Sequence, residues 1–207
     1  KMRGHDRQTA RGHFWGLMLC VLPLCALPGC LRTEPGRSGG KETPRIISMA
    51  PSTTEILFAL GLGDRVVGVT RYCDYPASTS EIAKVGGYVD LNYEKVVALR
   101  PDLTILLTSH REARAELREL GIRTLSIPHK TVQDIHEAIR LIGGACKRKR
   151  QAELLLDEIN RRVQAVRRAV EGSDCPRVLV CLGRETETGQ WSGIYMAGRN
   201  EFYEEVI

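Results

Sequence analysis

The sequence predicts an α/β protein with a mostly parallel sheet, followed by one long helix and the start of a second lobe. Short apolar strands alternate with amphipathic helical segments between residues 45 and 145, a pattern typical of parallel sheets covered on both faces. An apolar stripe at three- and four-residue steps then runs through residues 148–170, which indicates a helix too long for an ordinary crossover. A strand is predicted at residues 177–181. The residues after it are too few to complete a domain, so we expect a truncated second lobe whose last residues are loosely ordered.

The start of the chain has the composition of an export signal. Basic residues precede an apolar run over residues 14–27, which leads into Pro28, Gly29 and Cys30. A basic segment, a short apolar segment and a small residue before the cut are the features of a secretory signal. The run is too short for a transmembrane helix, which needs about 20 apolar residues. A cysteine directly after Gly29 predicts a bacterial lipoprotein signal with Cys30 as the lipidation site; the alternative is an ordinary cleavage that leaves Cys30 a plain thiol.

A flexible tether follows the signal. The stretch after Cys30 has no apolar periodicity and is rich in Gly, Pro, Ser and charged residues, which is typical of a linker. The predicted organisation is therefore a signal peptide (1–30), a tether (31–44), a first, ligand-binding lobe (45–147), a helix joining the lobes (148–172) and the beginning of an incomplete second lobe (173–207).

Charge and cysteine spacing exclude some classes of function. The net charge of +5 includes the basic leader, and no basic stripe interleaved with aromatic residues suggests a nucleic-acid partner. The basic run at residues 147–150 is interpreted as the solvated start of a helix. No CxxC pair is present among the seven cysteines, so a structural zinc site is not expected. Cys175 and Cys181 flank the predicted strand at a separation beyond disulfide reach.

The first half of the predicted lobe contains three strands. The first, at residues 45–49, is ended by Pro51. Ser52 and Glu55 have capping-box spacing, which predicts that a helix begins there; Gly61 would end it. The remaining segments are a strand at 66–69, a loop at 70–80, a short strand at 84–86 and a loop at 87–91.

The second half continues the alternation. Asn92 is predicted to cap a short helix that stops before Pro101, because a residue preceding proline disfavours the helical conformation. Thr131 is predicted to begin a helix that Gly143 and Gly144 end. The segments between are a strand at 103–107, a helix at 111–120 and a strand at 123–127. Ligands of such sheets lie beyond the carboxyl ends of the strands, which points to the loops after Met49 and Val69 and to residues 86–91.

An ordered set of motifs carries a resemblance to a known family. The chain resembles the periplasmic substrate-binding proteins of ABC importers that take up vitamin B12 and ferric siderophores. The resemblance runs from Arg45 to about Val180, and it implies two lobes joined by one long helix. The matching residues are Arg45-Ile46-Ile47-Ser48 with Pro51 and Thr54-Glu55, Val67-Gly68-Val69, Tyr72, Asp74-Tyr75-Pro76, Asn92, Glu94, Val97 to Leu103 and Leu120-Gly121-Ile122.

The resemblance implies ligand binding rather than catalysis. A corrinoid, cobalamin-like ligand would lie in the cleft between the lobes and pass to a membrane permease driven by its ATPase. Tyr72 falls where cobalamin binders of the family have a cleft tyrosine, and Tyr88 where they have a ligand-packing tryptophan. The alternative is that both are plain exposed loop residues, but their shared position at the predicted ligand edge favours contact. Pro51 and Ser52 complete the expected ligand-binding set. Glu94 matches the glutamate that docks onto permease arginines, although a glutamate in a first helical turn is also favoured by the helix dipole.

Several alternatives remain beside this interpretation. A ferric siderophore or heme is the main alternative ligand. A bare zinc or manganese site would have to use His110, His129 and His136, which lack a local ligand pattern, and a hydrolase would lack a G-x-S-x-G elbow. A dinucleotide site is excluded because Gly61-Leu62-Gly63 follows a helix rather than a strand. We expect no intrinsic cofactor or metal, no nucleic-acid partner, and an exported, lipid-anchored monomer.

Overall fold

The computed structural model describes residues 44–88, 90–174, 176–187, 190–198 and 202–206. The chain divides into two compact units, Lys1–Gly40 and Lys41–Ile207, and every described residue belongs to the second unit. The predicted signal peptide, Cys30 and nearly all of the tether therefore lie outside the described residues, as does Cys175. Within the described residues, no helix is both long enough and apolar enough to cross a membrane.

Five parallel strands form the central sheet. Their order across the sheet is β3-β2-β1-β4-β5, and each neighbouring pair is parallel. The predicted α/β class with a parallel sheet is thus confirmed. The strands are β1 (Ile46–Ser48), β2 (Val66–Val69), β3 (Ala83–Lys84), β4 (Leu103–Leu107) and β5 (Thr124–Ile127).

Six α-helices and two short 3-10 helices, Gly63–Arg65 and Ala77–Glu81, lie in the described part of the chain. The α-helices are α1 (Pro51–Ala59), α2 (Tyr93–Ala98), α3 (Arg111–Glu119), α4 (Val132–Ala145), α5 (Lys149–Ala169) and α6 (Phe202–Val206). Helices α1, α4 and α5 cover one face of the sheet, where Leu57, Ile139 and Leu156 pack with Ile105. Helices α2 and α3 cover the other face through Val96 and Leu117. Burial on both faces explains why the central strands are mostly apolar.

The start of α1 differs from the prediction. The helix begins at Pro51, and Ala50 is its N-cap residue without a side-chain cap, so the capping box expected from Ser52 and Glu55 is wrong. Proline suits the first helical position because its missing N–H would have no partner there. The Thr54 hydroxyl instead lies 3.1 Å from the Ala50 carbonyl oxygen and 2.8 Å from the Ser48 hydroxyl, which ties the end of β1 to the helix.

The caps of α2 and α4 agree with the sequence. The Asn92 side chain accepts a hydrogen bond from the Lys95 N–H at 2.8 Å, and Thr131 forms a reciprocal capping box with Asp134. However, α4 continues through Gly143 and Gly144 to Ala145, so the predicted stop at these glycines is wrong.

The long helix and the segment after it define the end of the chain. Helix α5 runs over 21 residues, close to the prediction. The predicted strand at residues 177–181 is wrong, because the strand of this region begins only at Cys181. Two strands, β6 (Cys181–Glu187) and β7 (Gln190–Met196), pair antiparallel instead, so the second lobe begins with a hairpin rather than a parallel pair. Near the end of the described chain, residues 202–206 form the short helix α6.

Candidate functional site

Loops from all five parallel strands meet at one edge of the sheet. Because parallel strands share a direction, the segments that follow them lie together beyond their carboxyl ends. This carboxyl edge comprises the start of α1 after β1, residues 70–76 after β2, residues 85–92 after β3, Ser109 and His110 after β4, and Pro128 and His129 after β5.

The two tyrosines predicted to bind ligand are neighbours on this edge. Tyr72 is 56% exposed and Tyr88 is 49% exposed. A Cβ atom placed on Gly87 would lie 3.3 Å from Cε2 of Tyr72, so the Tyr72 ring lies against the residue that precedes Tyr88. An ion pair between Arg71 and Asp90 joins the same two loops. The structure therefore places two large, half-exposed aromatic side chains on neighbouring loops that an ion pair joins.

Tyr88 also packs against a buried histidine. The ring centroids of Tyr88 and His110 are 4.3 Å apart with an interplanar angle of 69°. Nδ1 of His110 accepts a hydrogen bond from the Leu107 N–H at 3.3 Å, which places the imidazole proton on Nε2. That Nε2 atom is buried without a hydrogen-bond partner among the described residues. Burial, and secondarily the proximity of His129, lowers the pKa of His110 below its ordinary value, so the ring stays neutral.

A cavity of about 330 Å³ opens beside this pair. Its lining includes Tyr88, His110, Tyr93 and Glu112. Burial, together with the nearby charges of Glu116 and Glu112, raises the pKa of Tyr93, so its hydroxyl remains protonated and able to donate. The cavity thus offers aromatic surface together with a few polar groups, which is the usual composition of small-molecule sites.

Pro51 and Ser52 line a different cavity. Both side chains are exposed at the start of α1, and they border a space of about 580 Å³ shared with His129, Ile135 and Tyr203. Nδ1 of His129 is buried without a partner in the described part of the chain. The predicted ligand-binding residues therefore form two groups on one edge, the tyrosines on one side and Pro51 with Ser52 on the other.

Glu94 and Cys73 have distinct surroundings. Glu94 is exposed in the first turn of α2, where its carboxylate is available to a partner. Cys73 is buried, and its Sγ lies 3.2 Å from Oγ1 of Thr54 and 3.1 Å from Oγ1 of Thr70. It links α1 to the loop after β2 rather than facing ligand.

Sequence reasoning undervalued His110. It was considered only as one of three scattered histidines that could bind metal, whereas the structure places it against Tyr88. His110 and His129 both follow strands, whereas His136 is half-buried on α4. Among the described residues, no group of three or more His, Cys, Asp or Glu side chains is arranged to hold a metal ion. The position of His110 three residues after β4 was the available clue, since the carboxyl ends of the strands mark the site.

Comparison with known proteins establishes the class of protein to which this arrangement belongs. The chain belongs to the periplasmic binding protein family, whose sequence profile matches residues 46–207. It is 30% identical over 175 residues to the uncharacterized ABC transporter substrate-binding lipoprotein YvrC of Bacillus subtilis, covering 81% of this chain and 54% of that protein. It is 34% identical over 125 residues to the vitamin B12-binding protein of Vibrio cholerae, covering 59% of this chain and 45% of that protein.

Two solved structures share the fold. The periplasmic heme-binding protein RhuT from Roseiflexus sp. RS-1 superposes with a TM-score of 0.68 at 28% identity, covering 77% of this chain and 60% of that one. The periplasmic vitamin B12 binding protein BtuF of Vibrio cholerae superposes with a TM-score of 0.61 at 31% identity, covering 68% and 56%. The chain spans about half the length of the curated relatives it matches. All four relatives carry the names of binding proteins, none that of an enzyme, which agrees with the family resemblance inferred from the motifs.

Proposed function

We propose that this protein is the solute-binding component of an ABC importer, which captures a broad, flat metal chelate and delivers it to a membrane permease and its ATPase. The observation that carries the proposal is the adjacent, half-exposed pair Tyr72 and Tyr88 on the carboxyl edge of the sheet. Aromatic rings bury a large area against such a ligand with little loss of conformational entropy. Binding, with no bond broken, is the whole of the proposed activity.

The first candidate ligand is a corrinoid such as cobalamin. Its broad, partly apolar face suits stacking on Tyr72 and Tyr88, and the vitamin B12-binding relative supports the same choice. Pro51 and Ser52 would contact the ligand from the β1 side of the edge. The ligand would complete its burial against the second lobe.

A heme or a ferric siderophore is the second candidate. The heme-binding protein RhuT is among the structural neighbours, and the buried Nε2 of His110 beneath Tyr88 offers a polar group to a ligand that displaces that ring. A bare zinc or manganese ion is a weaker candidate, because no group of three or more His, Cys, Asp or Glu side chains in the described ranges is arranged to hold one.

Glu94 and Cys30 would connect the binding lobe to the membrane. Glu94 stands exposed beside the ligand edge, so its carboxylate would reach permease arginines while ligand is held. A lipid on Cys30, followed by the tether at residues 31–44, would keep an exported, monomeric protein close to the permease. Several acyl chains give stable anchoring where one chain would not.

The direct test is a ligand panel. The full-length mature protein is titrated with cobalamin, cobinamide, heme and a ferric siderophore while tyrosine fluorescence is recorded. Saturable quenching by a corrinoid supports the first candidate, and quenching by heme or siderophore alone assigns the second. Binding of none of them, together with turnover of a small ester or nucleotide, would overturn the transport proposal.

A further inference from the structure

The edge of the sheet opposite the ligand loops is strongly basic. Arg45, Arg65 and Arg123 are the residues directly before β1, β2 and β5. The pairing register places Ile46 opposite Val66, so the first two arginines start adjacent strands. Neighbouring strands are about 4.8 Å apart, which spreads the three arginines over roughly 15 Å of this edge.

The turn between α4 and α5 adds more cations to the same edge. Helix α4 follows β5 and runs back across the sheet, so its end returns to where the strands begin. Lys147, which follows it in a left-handed conformation with φ 58°, is exposed, as are Lys149 and Arg150. Cys146 lies at the end of α4, close enough to Arg65 and Arg123 for their charges to lower its pKa, although burial raises that pKa by more. We call this surface the basic edge; its members are Arg45, Arg65, Arg123, Lys147, Lys149 and Arg150.

Among the described residues, the side chains of the basic edge have no acidic partner within ion-pair distance. The nearby Asp102 carboxylate instead accepts a hydrogen bond from the Arg45 backbone N–H at 2.6 Å. The six cations therefore remain available to an external anion.

Helix stability does not explain the cations at the start of α5. Lys149 and Arg150 occupy its first turn, which contains no acidic residue. Positive charge there opposes the helix dipole, whereas Arg167 and Arg168 in the last turn complement it. The two cations in the first turn of α5 therefore have a local electrostatic cost.

We propose that the basic edge binds the anionic phospholipid headgroups of the membrane to which the protein is tethered. The choice of a membrane rests on the proposed anchoring, because the chain enters β1 through residues 44 and 45 and the tether would leave from this same edge. A tether of this length reaches at most about 50 Å at 3.3–3.6 Å per residue. The attraction between surface cations and anionic lipid acts within about a Debye length, near 8 Å at physiological salt. Adhesion would turn Tyr88 and Glu94 away from the membrane, so lipid binding and permease docking exclude each other.

The test measures how much of the exported chain, with its signal peptide removed, sediments with vesicles. Cys30→Ser is used so that no acyl chain contributes. Vesicles of equimolar phosphatidylcholine and phosphatidylglycerol are compared with pure phosphatidylcholine. We expect binding to the anionic vesicles alone, and its loss in about 1 M salt, where the Debye length is about 3 Å.

A matched pair of variants locates the binding surface. Lys149→Glu with Arg150→Glu should weaken vesicle binding at least about tenfold, since each cation near an anionic surface contributes substantially. Arg167→Glu with Arg168→Glu makes the same charge change at the other end of α5 and should leave binding within about twofold of the parent. Circular dichroism confirms that both variants fold.

Four results would overturn the proposal. These are equal binding to neutral vesicles, equal loss in both variants, full competition by millimolar inorganic phosphate, and binding of an RNA duplex without binding of vesicles. The assay contains neither a transported ligand nor a permease. A failure of the ligand panel and a failure of this inference are therefore distinguishable.

Discussion

Tyr88 packs edge-to-face on the buried imidazole of His110, with 4.3 Å between the ring centroids. This contact joins the loop after β3 to the end of β4. It holds a half-exposed aromatic ring in place before a ligand binds, which reduces the conformational entropy lost on binding. The Tyr88 ring is therefore the part of the edge from which the ligand-binding predictions follow.

Removing the Tyr88 ring should weaken ligand binding. Tyr88→Ala is expected to cost about 1–3 kcal/mol of binding free energy, the range for a buried aromatic contact, while Tyr88→Phe should retain most of it. Calorimetric titration with the ligand identified by the panel measures the change. Tyr75→Ala is the matched control, because Tyr75 is on the neighbouring loop but borders the groove with Phe58 and Ile159. Unchanged affinity in Tyr88→Ala would remove Tyr88 from the site.

His110 should make the protein less stable in mild acid. Its pKa is lowered in the folded state, mainly by burial, from an unfolded value of 6.5. The unfolded chain therefore binds more protons below that pH, so the free energy of unfolding falls as pH drops through 6.5 and is unaffected by this group well above it. Urea unfolding across this range measures the slope.

His110→Asn provides the control for this pH dependence. Asparagine can accept from the Leu107 N–H but does not titrate, so the acid-induced loss of stability should be smaller than in the parent. Carboxylates contribute equally to both proteins. An identical slope in the two would show that His110 is not responsible.

Glu94 should matter for transport but not for ligand affinity. Glu94→Gln removes the charge proposed to dock onto the permease, so uptake in cells should fall while the dissociation constant in solution stays the same. Glu119→Gln, at the opposite end of the lobe on α3, removes an equal charge and should leave uptake unchanged. A parallel loss of uptake in both variants would argue against docking by Glu94.

Two adjacent glycines in α4 should respond oppositely to alanine. A Cβ on Gly143 would lie 2.6 Å from Cβ of Ala152 in α5, whereas one on Gly144 meets no atom within 4 Å. Gly143→Ala should therefore destabilise the fold by about 1–3 kcal/mol through overpacking, and Gly144→Ala should stabilise it by about 0.5–1 kcal/mol. Thermal unfolding measures both. Gly143→Ala should cost less in the Ala152→Gly background than in the parent, and an equal cost in both backgrounds would contradict this packing.

Periodicity and end signals in the sequence predicted most of the first lobe. Strand β4 and helix α5 were predictable because apolar runs and helical apolar stripes indicate burial directly. The caps at Asn92 and Thr131 were predictable because capping depends on residues close in sequence. The predicted end of α4 at Gly143 was wrong because this glycine lets α5 pack closely against α4. No local sequence pattern reports such a contact. The capping box predicted at Ser52 was wrong because the helix already begins at Pro51, with Ala50 as its N-cap residue.

The candidate site was only partly predictable. The carboxyl-edge rule located the loops, and the family resemblance singled out Tyr72 and Tyr88. The packing of Tyr88 on His110 and the pairing of Arg71 with Asp90 depend on how loops from different strands fold over one another, which the sequence does not report. The β6–β7 hairpin was missed because an apolar stretch just before it, at residues 178–180, resembles a buried strand but forms no strand and is largely exposed.

Hydrogen exchange with and without ligand tests most directly whether the carboxyl edge is the binding site. The full-length protein is saturated with the member of the panel that binds, and amide exchange is followed by mass spectrometry. Slower exchange is expected in residues 70–76 and 85–92, around Tyr72 and Tyr88, with no change at residues 147–150 on the basic edge. Protection confined to the basic edge, or no protection in the two tyrosine loops, would contradict a ligand site at the carboxyl ends of the strands.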